Sequence, residues 1–430
     1  LDHNEEKPDF SGKWVGWMET VPVFELSPKT EFADIIVPTV DSVRYMWITD
    51  TLAQHKMHTM AVGPTGTGKT LNVNNKLMAG MPDKFQPIFI GFSAQTSANQ
   101  TQDLLDAKMD KRRKGIYGPS PGKQYIIFVD DVNMPQREEY GAQPPIEILR
   151  MWMNHGFWYD RKLSEKRQIV DISFVGALGP PGGGRQIVTN RFLRYFNFVS
   201  FPELDDGAMK QIFNVVLQTF VKAYLPPDLL DVVYPMVDAT IELYNVIGKE
   251  LLPTPSKPHY TFNLRDVASV IQGVLSGDRT ALLAPEDIIR LWSHENLRVY
   301  RDRLVNDDDR SWFDDLVKRL VPKFFSLEWA DVVKVEVGHL IYGDFMVPGA
   351  DPKLYSEITD TTRMVTVVEE SLEDYNATFT KKMPLVMFVD AVSHVAHISR
   401  IIRQPLGNAL LLGVGGSGRQ SLARLATAMS

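Results

Sequence analysis

Gly63-Pro64-Thr65-Gly66-Thr67-Gly68-Lys69-Thr70 follows an apolar run at residues 58–62 and opens into a stretch of helical periodicity that starts near Lys69. Strand, glycine-rich turn, Lys, Thr and helix, in that order, make a phosphate-binding loop. Glycine is required because backbone N–H groups must close on phosphate oxygens with no Cβ in the way, and the helix N-terminus adds its positive end. Lys69 is placed to reach the β- and γ-phosphates of a nucleotide, and the Thr70 hydroxyl to ligate Mg2+. The alternative is a glycine-rich turn that holds nothing; the flanking strand and helix speak against it.

Outward from the loop, β-branched and aromatic runs at residues 58–62, 87–92, 125–129, 169–177 and 196–201 alternate with longer helical stretches. That pattern predicts an α/β subdomain over residues 35–202 with a five-stranded parallel sheet. From 203 to 330 strand signals fade, and residues 208–222, 229–247 and 284–304 carry a helical period, so this part reads as a helical lid. A new mixed region follows the charged stretch 306–310 and occupies 331–430. The order helix, strand, glycine-rich loop, helix at 43–76 recurs at 384–429, with 409–412 as the second strand, which hints at a repeat. Residues 1–34, with Trp14, Trp17, Pro22, Phe24 and Pro28, are an entry strap from a preceding module or an ordinary covering loop.

At 430 residues the chain is long enough for two or three domains, and 44% hydrophobic with 23% charged residues is an ordinary globular mixture. No run approaches the roughly 18 uninterrupted apolar residues of a membrane span. A net charge of −7 gives no electrostatic reason to expect nucleic acid or an anionic membrane as partner. The absence of cysteine excludes disulfides and thiolate metal sites. The first residue is not Met and the last lies in an apparent helix, so the chain reads as part of something longer.

Residues 126–131, Ile-Ile-Phe-Val-Asp-Asp, are an apolar strand ending in two carboxylates, placed to face the phosphate loop. Asp130 is the metal-side carboxylate. Asp131 stands where a glutamate usually activates the attacking water, one methylene shorter; a turn or helix cap is its other reading. The segment from Asp171 runs from the buried strand at 169–177 into Gly179-Pro-Pro-Gly-Gly-Gly-Arg185, so no polar side chain stands at the strand end to orient water. Arg185, Arg191 and Arg194 follow, either as arginines offered to a neighbouring phosphate site or as surface ion pairs. Arg265 opens a lid helix and could close on a γ-phosphate or make a helix-start ion pair.

The second loop has Gly413, Gly415, Gly416, Ser417 and Gly418, but Arg419 stands at the lysine position and Gln420, before Ser421, at the hydroxyl position. It keeps a backbone nest for an anion and loses a magnesium ligand. The basic run 111–114 reads as a solvated helix end, and His394 and His397 as surface or packing residues.

Several strings are longer and rarer than a phosphate loop: VPTVDSVR at 37–44, FSAQTSANQTQ at 92–102, VDDVNMP at 129–135, YGAQPPIE at 140–147, GPPGGGR at 179–185 and GVGGSGRQS at 413–421. Together and in this order they resemble the dynein heavy chain, specifically its third AAA+ module with the beginning of the fourth, over nearly the whole chain. The strings at 179–185 and 413–421 are similar to those of axonemal dyneins, and residues 93–102 to the single-headed inner-arm kind. The resemblance implies an AAA+ P-loop fold with a helical lid, in a ring of six such modules within one heavy chain. It implies a regulatory site for ATP or ADP with Mg2+, in cytoplasm, cytoskeleton and ciliary axoneme. Neighbouring modules of the same chain would be the partners, with the microtubule reached only through parts outside this chain. Val37 and Pro38 would flank the adenine, Lys69, Thr70, Asp130 and Asp131 would surround phosphates and metal, and Arg265 would be the lid's sensor arginine. Arg191 or Arg194 would serve the preceding module's site. Asp131 and Gly179 depart from the general AAA+ pattern, and both departures weaken hydrolysis more than binding. The alternatives are a stand-alone remodelling ATPase and a structural ring segment without turnover.

Overall fold

The computed structural model describes residues 12, 14–20, 24–335, 340–405 and 407–430. Pro22, one of the strap residues, lies outside them. The chain divides into two compact units, one built on Pro38–Asp205 and the other on Glu25–Val37 with Asp206–Ser430.

The first unit runs α1 (Val40–Gln54), β1 (Thr59–Val62), α2 (Lys69–Ala79), β2 (Phe85–Gly91), α3 (Ala98–Asp106), β3 (Asp110–Arg113), β4 (Ile116–Gly118), β5 (Gln124–Asp130), α4 (Pro144–His155), β6 (Phe157–Tyr159), β7 (Lys166–Ile169), β8 (Ile172–Leu178), α5 (Asn190–Leu193) and β9 (Asn197–Ser200). The main sheet has the order β2-β5-β8-β1-β9, and every neighbouring pair is parallel. Side chains alternate across it as the strand period demands. Ile126 and Phe128 pack on one face with Val73, Leu77 and Ala53 of α2 and α1. Ile127 and Val129 pack on the other with Leu105, Ile146 and Leu149 of α3 and α4. β5, β8 and β1 lie side by side, so the loops leaving their carboxyl ends meet there, where ligands of such sheets bind. Both caps that start α1 and α3 are reciprocal: Thr39 with Ser42, and Ser97 with Gln100. Trp17 of the strap lies edge-on to Trp47 of α1, centroids 5.5 Å apart.

The run 169–177, expected as one strand, is two. It breaks at Asp171, whose φ of 53° turns the chain between β7 and β8. A second, four-stranded sheet, β3-β4-β7-β6, is thereby added that the sequence pattern did not announce. The basic run 111–114 falls in it: residues 110–113 are β3, not a helix end. Arg112 leaves solvent to donate to Asp171 Oδ2 at 2.6 Å and to the Pro119 carbonyl at 2.7 Å. Strands this short carry too few alternating residues to be recognised, and the sheet pairs hold them.

The second unit is helical through α6 (Asp206–Tyr224), α7 (Leu230–Glu250), α8 (Leu264–Leu275), α9 (Pro285–Val299), α10 (Asp307–Phe325) and α11 (Trp329–Val332). The charged stretch 306–310 opens α10, where three aspartates in the first turn suit the helix dipole. Then follow β10 (Tyr342–Gly343), β11 (Ser356–Glu357), α12 (Thr361–Thr378), α13 (Val389–Arg403) and α14 (Arg419–Met429). Residues 409–412, expected as a strand, are not one: no partner strand lies beside them among the described residues, and β structure requires one. Glu295 of α9 is fully buried and accepts from Arg400 Nε of α13 at 3.0 Å and from the Tyr355 hydroxyl at 2.8 Å. Glu295 pushes the Arg400 guanidinium pKa up against the opposing effect of burial. His294 and His397 are held neutral, chiefly by burial. The Glu295–Arg400 pair binds α9 to α13, because removing either partner would strand the other's charge in the interior.

Candidate nucleotide site

The phosphate loop is a continuation of β1. Val62 pairs with Leu178 of β8 and Ser200 of β9, and the Gly63 N–H donates to the Leu178 carbonyl at 3.3 Å. Gly63 has no room for a side chain, since a Cβ would sit 2.0 Å from the Phe201 carbonyl oxygen. Gly68 ends the loop in the left-handed region, φ 77°, and serves as N-cap of α2, so the first helical N–H groups face the loop. Thr67 Oγ1 donates to the Pro64 carbonyl at 3.1 Å, and the Lys69 amine to the carbonyls of Gly63 at 2.7 Å and Pro64 at 2.5 Å. Pro64, Thr65 and Gly66 complete the turn over these bonds. The cationic amine is thus folded into the loop.

Across from it, the Thr70 hydroxyl donates to Asp130 Oδ2 at 2.8 Å, and the Asp131 N–H donates to Asp130 Oδ1 at 3.0 Å. A hydroxyl and a carboxylate facing each other beside a phosphate loop are hard oxygen donors, the set that fits Mg2+. Asp131 itself has φ 51° and is about half exposed. Its carboxylate caps nothing among the described residues; its contact is Arg185 Nη2, 3.7 Å away. Asp tolerates left-handed backbone better than most residues, glutamate included, which is a local reason for the shorter acid at this position.

The remaining candidates make other contacts. Arg191 reaches Glu147 Oε1 at 3.4 Å and is mostly exposed; Arg194 donates to the Tyr195 hydroxyl at 2.7 Å. Val37 is buried, and Pro38 precedes the Thr39 cap of α1. In the second unit Arg265 is exposed in the first turn of α8, where the ion pair at the helix start is made by Asp266 with Arg303 at 2.5 Å. In the second glycine-rich loop Arg419 turns back on the Val414 carbonyl at 3.1 Å. Asn133, buried at the turn after Asp131, escaped the sequence reading. Arg185, read there together with Arg191 and Arg194, differs from them in having Asp131 as its contact. The string 179–185 was visible; its fold back onto β5 was not.

Residues 24–204 match the family described as P-loop containing dynein motor region, residues 236–336 the AAA+ lid domain, and residues 383–430 the P-loop containing dynein motor region D4. The chain belongs to the dynein heavy chain family. It is 50% identical over 429 residues to dynein axonemal heavy chain 1 of Mus musculus, covering 97% of this chain and 10% of the relative. Dynein axonemal heavy chain 12 of Homo sapiens is 43% identical over 435 residues, with 97% and 14% covered. Dynein axonemal heavy chain 3 of Mus musculus is 42% identical over 434 residues, with 97% and 11% covered. The chain thus spans about a tenth of the length of these curated dynein relatives. Its P-loop modules are AAA+ dynein motor modules, and no helix among the described residues is long and apolar enough to cross a membrane.

Proposed function

We propose that this dynein chain is a regulatory nucleotide-holding module of an axonemal motor, the third AAA+ module of the ring with the start of the fourth, binding ATP or ADP with Mg2+ and turning over slowly. One observation carries the reading: an intact loop faces a Thr70–Asp130 pair, while the base position holds Asp131 on left-handed backbone and the strand end holds Gly179. Binding groups are therefore complete and water-handling groups are reduced. In this reading Lys69 and the loop N–H groups hold phosphate, Thr70 and Asp130 hold the metal, and Val37 and Pro38 flank the adenine. Asp131 positions water poorly, Arg265 closes from the lid, and Arg191 or Arg194 serves the preceding module. The cation would supply charge neutralisation at the phosphates. The axonemal names of the relatives support a place in the cytoplasmic cytoskeleton of the cilium. Its partners would be neighbouring modules of the same heavy chain, with microtubules engaged only through parts outside these residues, and neither nucleic acid nor membrane.

Equilibrium binding of a fluorescent ATP analogue together with steady-state phosphate release tests the proposal. Tight binding with negligible release is expected. Brisk release would favour a turning-over remodelling ATPase, and absence of binding a purely structural ring segment.

A further inference from the structure

Gly179 follows the last residue of β8 beside the first glycine of the phosphate loop, since its neighbour Leu178 accepts from the Gly63 N–H. A Cβ on Gly179 would lie 2.9 Å from Arg185 Nε and 3.1 Å from Arg185 Cδ. The shaft of Arg185 therefore occupies the space that a polar side chain at the strand end would fill. Its placement is built into the loop. Asn133, 1% exposed, donates through Nδ2 to the Gly179 carbonyl at 2.8 Å and accepts from the Gln186 N–H at 2.8 Å on its own carbonyl. Gly182 and Arg185 exchange backbone hydrogen bonds of 3.1 and 3.0 Å, closing the turn between these anchors.

The guanidinium so delivered is under-used. Its side chain is 25% exposed, its Nη2 is 3.7 Å from Asp131 Oδ1, which is beyond hydrogen-bonding distance, and its buried Nε has no acceptor among the described residues. Five N–H donors in a planar fork match a phosphate, and donors left unmade in a mostly buried position are costly. In the nucleotide-binding reading Asp131 follows the metal-side carboxylate, and the space beside it and Gly179 would take the terminal phosphate of a triphosphate, which a diphosphate lacks.

We propose that Arg185 is a cis-acting arginine that engages the terminal phosphate of a nucleoside triphosphate held by residues 63–70, in place of the polar residue missing at Gly179, and so makes this site distinguish triphosphate from diphosphate. The inference rests on the nucleotide-binding reading above. It also separates Arg185 from Arg191 and Arg194, whose partners are Glu147 and Asn154 of α4 and Tyr195.

The test uses the whole 430-residue chain. Fluorescent non-hydrolysable ATP and fluorescent ADP are titrated into wild type, Arg185→Ala and Arg185→Lys, with Lys69→Ala as the background for any binding at the second loop. Arg185→Ala is expected to lose about tenfold in triphosphate affinity, as for one charge-assisted contact, with ADP affinity unchanged and Arg185→Lys in between. The thermal midpoint of the nucleotide-free variants should match wild type. An equal loss for both nucleotides, or no loss for either, overturns the role of Arg185. Wild-type binding no better than Lys69→Ala for both nucleotides overturns the nucleotide site itself, and the proposal with it.

Discussion

The two glycine-rich loops have nearly the same backbone and different chemistry. Gly68 and Gly418 both cap their helices in the left-handed region, φ 77° and 75°, and Gly66 and Gly416 match at 87° and 82°. Around the first, β1 lies between β8 and β9, and Phe201 closes on Gly63. Around the second, Leu410 is 85% exposed and Val414 79%, and residues 409–412 pair with no strand. The first loop carries Lys69 and presents Thr70 to Asp130; the second has Arg419 bonded to the Leu411 and Val414 carbonyls and Gln420 where a hydroxyl is needed. The comparison teaches that glycine spacing fixes the shape of a phosphate nest, while the sheet around it and two side chains decide whether it holds a metal nucleotide.

The sharpest way to break this contrast is at the first glycine of each loop. Gly63→Ala drives a Cβ to 2.0 Å from the Phe201 carbonyl oxygen, so the first unit should lose about 3 kcal/mol or more in chemical denaturation. Gly413→Ala meets at nearest the Ser417 hydroxyl at 3.2 Å and should cost less than about 1 kcal/mol. Equal losses would mean that the second loop is as tightly enclosed as the first.

Next comes the cation. Lys69→Ala should weaken ATP binding by about a hundredfold or more while the circular dichroism spectrum and melting midpoint stay at wild-type values, because its amine bonds the loop carbonyls of Gly63 and Pro64. Arg419→Ala should leave the measured affinity within about threefold of wild type. An unchanged affinity in folded Lys69→Ala would remove the site from the first loop.

The smallest effect concerns rate. Asp131→Asn should leave affinity unchanged and lower an already slow phosphate release only slightly, whereas Asp131→Glu in the full ring should raise it by about tenfold. The left-handed backbone at position 131 limits that gain, since glutamate is less at home there than aspartate. A brisk wild-type rate that collapses in Asp131→Asn would show a competent base and end the slow-site reading.

What the sequence determined by itself is everything carried by short, contiguous patterns: the loop 63–70, the strand ending in Asp130, the apolar runs of the five-stranded sheet and the helical periods of 208–222 and 229–247. These are local, because a phosphate nest needs its glycines in order and a buried parallel strand needs an unbroken apolar run. Tertiary structure alone decided whatever depends on partners distant in the chain. The basic run at 111–113 became a strand because β4 lies beside it, and residues 409–412 stayed irregular because no strand does. Glu295 could be buried only because Arg400, 105 residues later, arrives to pair with it. Arg185 reached Asp131 because Asn133 pins the intervening loop, a hydrogen-bond closure across more than forty residues that no periodicity encodes.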